Sequence, residues 1–108
     1  MLTLPIKRPW FDMIRSGEKT EEYRCICPYW TKRFETAFGM TIQRAIETRT
    51  GAWITFRNGY SEHAPRFNAE VCLRIGEGRP EWGAEPGTEY YILEIRSIFY
   101  LYWKEVSR

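Results

Sequence analysis

Gly17-Glu18-Lys19-Thr20-Glu21-Glu22-Tyr23-Arg24 is the stretch on which the reading of this chain turns, because it follows a helix stop and opens a strand. Upstream, Pro9 to Ser16 reads as a short helix. Proline suits the first helical turn, and Trp10, Met13 and Ile14 recur at the i, i+3, i+4 spacing of one buried face. Gly17 ends it, since glycine alone enters the left-handed conformation after a last turn without a steric penalty. Downstream, alternation predicts a strand over Thr20 to Ile26, with Thr20, Glu22 and Arg24 on one face and Glu21, Tyr23 and Cys25 on the other. The second, more apolar face is expected to meet the core. Lys19 at the strand entrance, with Glu22 and Arg24 beside it, then lines a groove between helix and sheet.

Outward from this stretch, Leu2 to Ile6 reads as a first strand with Pro5 at an edge or end, and Lys7-Arg8 at its exit. Pro28 opens a second helix, in which Trp30, Phe34, Ala37 and Phe38 recur at helical spacing before Gly39. It has the look of a lid, with Lys32 and Arg33 on its other face within reach of the groove or simply solvated. Met40 to Thr50 is a candidate third helix, with Thr41 as N-cap and Gly51 as stop. Ala52 to Arg57 is rich in β-formers and ends on the turn signal Asn58-Gly59. The return strand spans Phe67 to Ile75, where Phe67, Ala69, Val71, Leu73 and Ile75 alternate with Asn68, Glu70, Cys72 and Arg74. Gly76 to Gly87 is a glycine- and proline-rich loop around Trp82, of the kind that often binds. Glu89 to Trp103 is again β-forming, with Tyr91, Leu93 and Ile95 inward, Glu94 and Arg96 outward, and a second apolar run from Ile98 to Trp103. Strands with apolar inner faces and short helices between them predict an α+β fold, a small mixed β-barrel capped by helices.

The 108 residues amount to one domain, residues 1 to 108, able to build a core without disulfides or metal. A composition 44% hydrophobic and 28% charged excludes a disordered chain. No signal peptide and no apolar run approaching the ~20 residues of a membrane span is present, so no membrane partner and a cytoplasmic location are expected. Cys25, Cys27 and Cys72 are odd in number and form no disulfide framework, in keeping with a reducing compartment. Five Trp, seven Tyr and six Phe would overfill so small a core, so some are expected in a groove as stacking surfaces. The formal charge is only +2, too little for strong non-specific duplex binding. Lys7 to Arg33 nevertheless holds seven basic against four acidic residues, a basic rim suited to a phosphate-bearing ligand.

Gly17, Lys19, Glu22 and Arg24 match the pattern G-x-K-x-x-E-x-R, which resembles the signature of the ASCH domains (activating signal cointegrator homology), small β-barrels related to the PUA fold. The preceding strand and helix and the total length fit that family, and the resemblance covers nearly the whole chain. It implies RNA or nucleoside binding, with some members resembling ribonucleases or amidohydrolases that deacetylate N4-acetylcytidine. This sequence departs from the latter in carrying Glu22 where they have a hydroxyl residue.

On this reading the ligand-binding candidates are Gly17, Lys19, Thr20, Glu22, Arg24 and Lys7, and the ligand is single-stranded RNA, a nucleotide or a modified nucleoside. Tyr or Trp rings would stack on its bases. If the chain is an enzyme, Lys19 and Glu22 are its catalytic candidates. Metal-free amide hydrolysis needs a base to activate water, an oxyanion stabiliser and an acid for the leaving amine. Lys19 as base would need a pKa far below about 10.4, which burial and Arg24 favour and Glu22 opposes. Alternatively Lys19 stays protonated against the oxyanion while Glu22 activates water. An exposed turn lysine and two surface charges are the bland alternatives, and an interaction module with a shallow cleft is a third. Cys25-x-Cys27 lacks the second pair or histidine of a zinc site. His63, the sole histidine, stands in a loop without an identifiable partner. No nucleotide-cofactor or metalloprotease motif is present, so neither cofactor nor metal is expected.

Overall fold

The computed structural model describes residues 1–99. The elements follow in the order β1 (Thr3–Ile6), α1 (Arg8–Ser16), β2 (Glu21–Cys25), α2 (Pro28–Phe38), α3 (Ile42–Thr48), β3 (Gly51–Asn58), β4 (Arg66–Glu77), a single 3-10 turn at Pro80–Trp82, and β5 (Glu89–Phe99). Five strands form one sheet in the order β1-β3-β4-β5-β2. The β1–β3 pair is parallel and the other three pairs are antiparallel, so the fold is α+β with a mixed sheet. The sheet curls into a half-barrel whose two edges are β1 and β2.

The edges follow from local chemistry. Pro5 cannot donate to a second neighbour, which suits it to edge strand β1, where it pairs with Arg57 of β3. Gly17 takes φ 89° and its N–H returns to the Ile14 carbonyl at 3.1 Å, so α1 stops and the chain turns into β2 as its glycine predicts. The third helix begins at its expected cap, the Thr41 hydroxyl accepting the Arg44 N–H at 3.2 Å. Its end differs from expectation: Arg49 takes the left-handed turn at φ 56°, and Gly51 is already the first residue of β3. That frees the Arg49 carbonyl to accept the Cys72 thiol at 3.3 Å.

The core lies between the concave face of the sheet and the helices, with α1 and α2 over β3 and α3 over β4. Phe67 is its centre, 5.0 Å from the Phe11 ring and 5.7 Å from the Phe56 ring. Strict alternation fails in β4, where Val71, Cys72 and Leu73 are all buried and Ile75, expected inward, is 41% exposed. A bulge between Glu70 and Val71 shifts the register against β5. In β5 Tyr91 and Leu93 are buried as expected, but so is Ile92. The Gly76–Gly87 loop is shorter and more ordered than expected, since β4 runs on to Glu77 and the 3-10 turn ends at Gly83 with φ 98°. Ile98 and Phe99 extend β5, and the rest of the second apolar run, 100–103, lies outside the described residues. No helix of the described residues is long and apolar enough to cross a membrane.

Phe67→Ala removes the ring that α1 and β3 share and should lower unfolding stability by about 3–5 kcal/mol. Urea titration checks this: the midpoint falls while the slope stays that of the parent chain.

Candidate functional site

The charged residues of the motif are the inner face of β2, not its outer one. Glu22 is 5% exposed and Lys19 1%, whereas Cys25 and Thr20 are exposed. The expectation that the face of Tyr23 and Cys25 would meet the core is therefore corrected: Cys25 is exposed, and Tyr23 is half-buried along a neighbouring cleft and not part of the core cluster. Burying charge is tolerable here because the charges meet. The Lys19 ammonium donates to Glu22 Oε1 at 2.7 Å and to the Glu21 carbonyl. Arg24 Nη1 pairs with Glu22 Oε2 and also donates to the Tyr23 carbonyl at 2.9 Å. Each oxygen of one carboxylate thus holds a different cation. Arg24 Nη2 reaches the Pro5 carbonyl at 3.0 Å, so its side chain bridges edge strand β2 to edge strand β1 across the open side of the sheet.

The other face of β2 is stitched as firmly. Register places Glu21 opposite Glu94 on β5, a like-charge pair that alone would destabilise the ladder. Arg74 on β4 resolves it, donating to Glu21 Oε2 at 2.8 Å and Glu94 Oε2 at 2.7 Å, while Arg49 pairs with the second Glu94 oxygen. The Tyr23 hydroxyl donates to Glu21 Oε1 at 2.8 Å and accepts the Arg79 N–H at 3.0 Å. Burial pushes that phenol well above its ordinary range, so it remains a donor.

Beside this strand lies a cleft of about 630 Å³, within the range of small-ligand sites. Glu22 and Arg24 line it together with Lys7. Seven aromatic side chains complete the walls: Trp10 from α1, Tyr23 from β2, Tyr29 and Trp30 from α2, Tyr60 after β3, Trp82 from the 3-10 turn and Tyr90 from β5. Arg24 lies over the Trp30 ring at 5.2 Å, and the Lys19 ammonium sits 5.8 Å from the Trp10 ring and 5.0 Å from the Tyr23 ring. Two glycines let the loop close in. A Cβ on Gly78 would stand 2.6 Å from Tyr23 Cζ, and one on Gly83 3.1 Å from the Trp10 ring, where φ is also positive.

Lys7, Glu22 and Arg24 thus come to one concavity. Lys19 stands behind Glu22 and does not line the cleft, Gly17 is occupied with ending α1, and Thr20 is exposed, its carbonyl accepting the Ile95 N–H at 3.0 Å. Lys32 and Arg33 do not reach this cleft; they line a separate depression with Met1, Leu2 and Trp53, because α2 turns Tyr29 and Trp30 inward instead. His63 is exposed in its loop, away from the cleft lining. Of these rings Trp82 stands in the loop the sequence marks as a binding candidate; for the other six the surplus of aromatic residues is the one signal. No family model, curated protein or solved structure matches the chain.

Burial holds Lys19 below its usual pKa of 10.5, against the opposing pull of the Glu22 carboxylate and with a smaller push from Arg24. The unfolded chain therefore binds more protons than the folded one between the lowered value and the usual one, and this lysine makes stability rise with pH across that window. Glu22→Ala removes the carboxylate that keeps the buried ammonium charged and should cost about 3–5 kcal/mol near neutral pH. The lysine pKa falls further in the variant, so the loss should be smaller at pH 10 than at pH 7, as paired urea titrations would show.

Proposed function

We propose that this chain is a cytoplasmic PUA-like domain of ASCH type whose aromatic cleft holds a nucleobase-bearing ligand, single-stranded RNA or a nucleoside. The observation that carries this reading is the convergence of Glu22 and Arg24, half of the G-x-K-x-x-E-x-R pattern, on a concavity walled by seven aromatic rings. Unstacked bases bind by stacking on such rings and by hydrogen bonds along their edges. With Lys19 behind Glu22 and Arg24 beside it, the cluster next to the cleft carries one net positive charge, suited to carbonyl or phosphate oxygen. Lys19 stands behind Glu22 and most N–H groups of Arg24 are taken up by Glu22, Tyr23 and Pro5, so Lys7 is the phosphate contact while Arg24 keeps a free N–H toward the cleft. Free thiols at Cys25, Cys27 and Cys72 fit a reducing compartment.

Tyr29 is 55% exposed and Lys7 is exposed, so both can be removed without opening the core. Tyr29→Ala should weaken binding of a short single-stranded RNA by about 1–3 kcal/mol, the worth of one stacked base. Lys7→Ala should weaken it less, and should flatten the dependence of affinity on salt. Fluorescence-anisotropy titration at two salt concentrations reads both. Affinities unchanged in both variants, or no binding of RNA or nucleosides by the parent, would remove this reading.

A second reading, hydrolysis of an acylated nucleoside such as N4-acetylcytidine, rests on the lysine of lowered pKa hydrogen-bonded to a carboxylate that faces the cleft. Glu22 takes a proton from water, hydroxide adds to the acetyl carbonyl, and Arg24 steadies the oxyanion. The C–N bond then breaks as Glu22 returns the proton to the leaving amine, giving cytidine and acetate. Lys19 positions the carboxylate from behind. Chromatographic assay of N4-acetylcytidine should show turnover by the parent chain and its loss in Glu22→Gln, with circular dichroism unchanged. Absence of turnover by the parent leaves binding alone.

A further inference from the structure

The junction between β2 and α2 holds two thiols that the cleft does not use. Cys25 is the last residue of β2, Cys27 is the N-cap of α2, and Ile26 alone separates them. The bend at 26–27 brings their Sγ atoms to 2.8 Å, closer than the van der Waals contact of two sulfurs, with both thiols free. Cys25 is exposed and Cys27 half-buried, so small molecules reach the pair, whereas Cys72 is fully buried. Among the described residues no third His, Cys, Asp or Glu gathers with them as a metal-holding group, which leaves a dithiol.

The two sulfurs are not equivalent. The Cys25 thiol donates to the Cys27 sulfur, which raises the pKa of Cys25 and lowers that of Cys27. The N–H groups of Trp30 and Tyr29 in the first turn of α2 lower it further, without forming a full capping bond. Cys27 also lines a depression of about 570 Å³ whose other lining residues include Lys32 and Glu35, an ammonium and a carboxylate. A zwitterionic thiol compound would find both counter-charges there.

We propose that Cys25 and Cys27 form a redox site that reacts with small peptide disulfides of the glutathione class and ends as an intramolecular disulfide. The Cys27 thiolate attacks one sulfur of the peptide disulfide. A Cys27–peptide S–S bond forms, the original S–S bond breaks, and one peptide thiolate leaves and takes up a proton. Cys25, losing its proton, then attacks the Cys27 sulfur, forming the Cys25–Cys27 bond and releasing the second peptide thiol. Two protein thiols are oxidised and one peptide disulfide is reduced to two thiols. A disulfide closing so short a loop at the surface belongs to the easily reduced, reversible class.

The test is incubation of the reduced full chain with glutathione disulfide at neutral pH, acid quenching, and whole-protein and peptide mass spectrometry. The parent chain should lose the mass of two hydrogens and retain no lasting adduct. Cys25→Ser should accumulate one glutathione on Cys27, and Cys27→Ser, which keeps a good N-cap, should react at least about tenfold more slowly. Excess reduced glutathione should restore the parent dithiol. A parent chain that stays unmodified or collects stable adducts overturns the proposal, as does a Cys27→Ser variant that reacts as fast as Cys25→Ser.

Discussion

One carboxylate held between two cations organises this protein. Glu22 receives the Lys19 ammonium on one oxygen and the Arg24 guanidinium on the other, with Glu22 and Arg24 on the inward face of edge strand β2 and Lys19 just before the strand begins. A lone charge there would cost several kcal/mol in desolvation, and a single pair would barely recover it. The arrangement survives because the remaining donors are also satisfied, by the Glu21, Tyr23 and Pro5 carbonyls. No buried side-chain nitrogen or oxygen among the described residues lacks a hydrogen-bond partner. The Pro5 bond gives the cluster its structural reach, since it ties together two strands that no ladder joins.

The cleft is a consequence of that incomplete closure. Among the described residues β1 and β2 do not pair, and the Arg24 guanidinium links them through the Pro5 carbonyl. Loops at both rims then supply walls. The turn after β3 brings Tyr60, anchored by the Gly59 N–H on the Ile6 carbonyl at 2.9 Å, and the turn before β5 brings Trp82. Aromatic rings suit such a position because they offer apolar faces to a ligand while their polar edges stay hydrated. The cleft thus combines the charged side chains of Glu22 and Arg24 with aromatic walls.

The balance between the two faces of β2 also explains why so short a strand can carry a site. Its outer face is locked by the Glu21–Arg74–Glu94–Arg49 chain and by Tyr23 against the backbone of Arg79. These contacts hold the outer side of the strand from which Glu22 and Arg24 project inward.

Local signals in the sequence settled the helices and strands to within a few residues, because their causes are local: Pro9 and Pro28 at first turns, Gly17 and Gly39 past last ones, Thr41 as a cap. The motif was visible in the same way, as three charges just past a helix stop that match the pattern G-x-K-x-x-E-x-R. Its orientation was not, because alternation along a strand separates two faces without saying which is inside. The rule that the apolar face is buried fails here because Glu22 is paired on both oxygens with cations and β2 is an edge whose outer face finds Arg74. Likewise the surplus of Trp and Tyr foretold a groove, but which rings would line it depended on the sheet order, which sets residues from 10 to 90 around one opening. Sequence by itself determined the elements, their caps and the set of chemical groups. Only the tertiary structure decided which charges are buried and which rings line the cleft, because burial is a property of contacts between segments far apart in the chain.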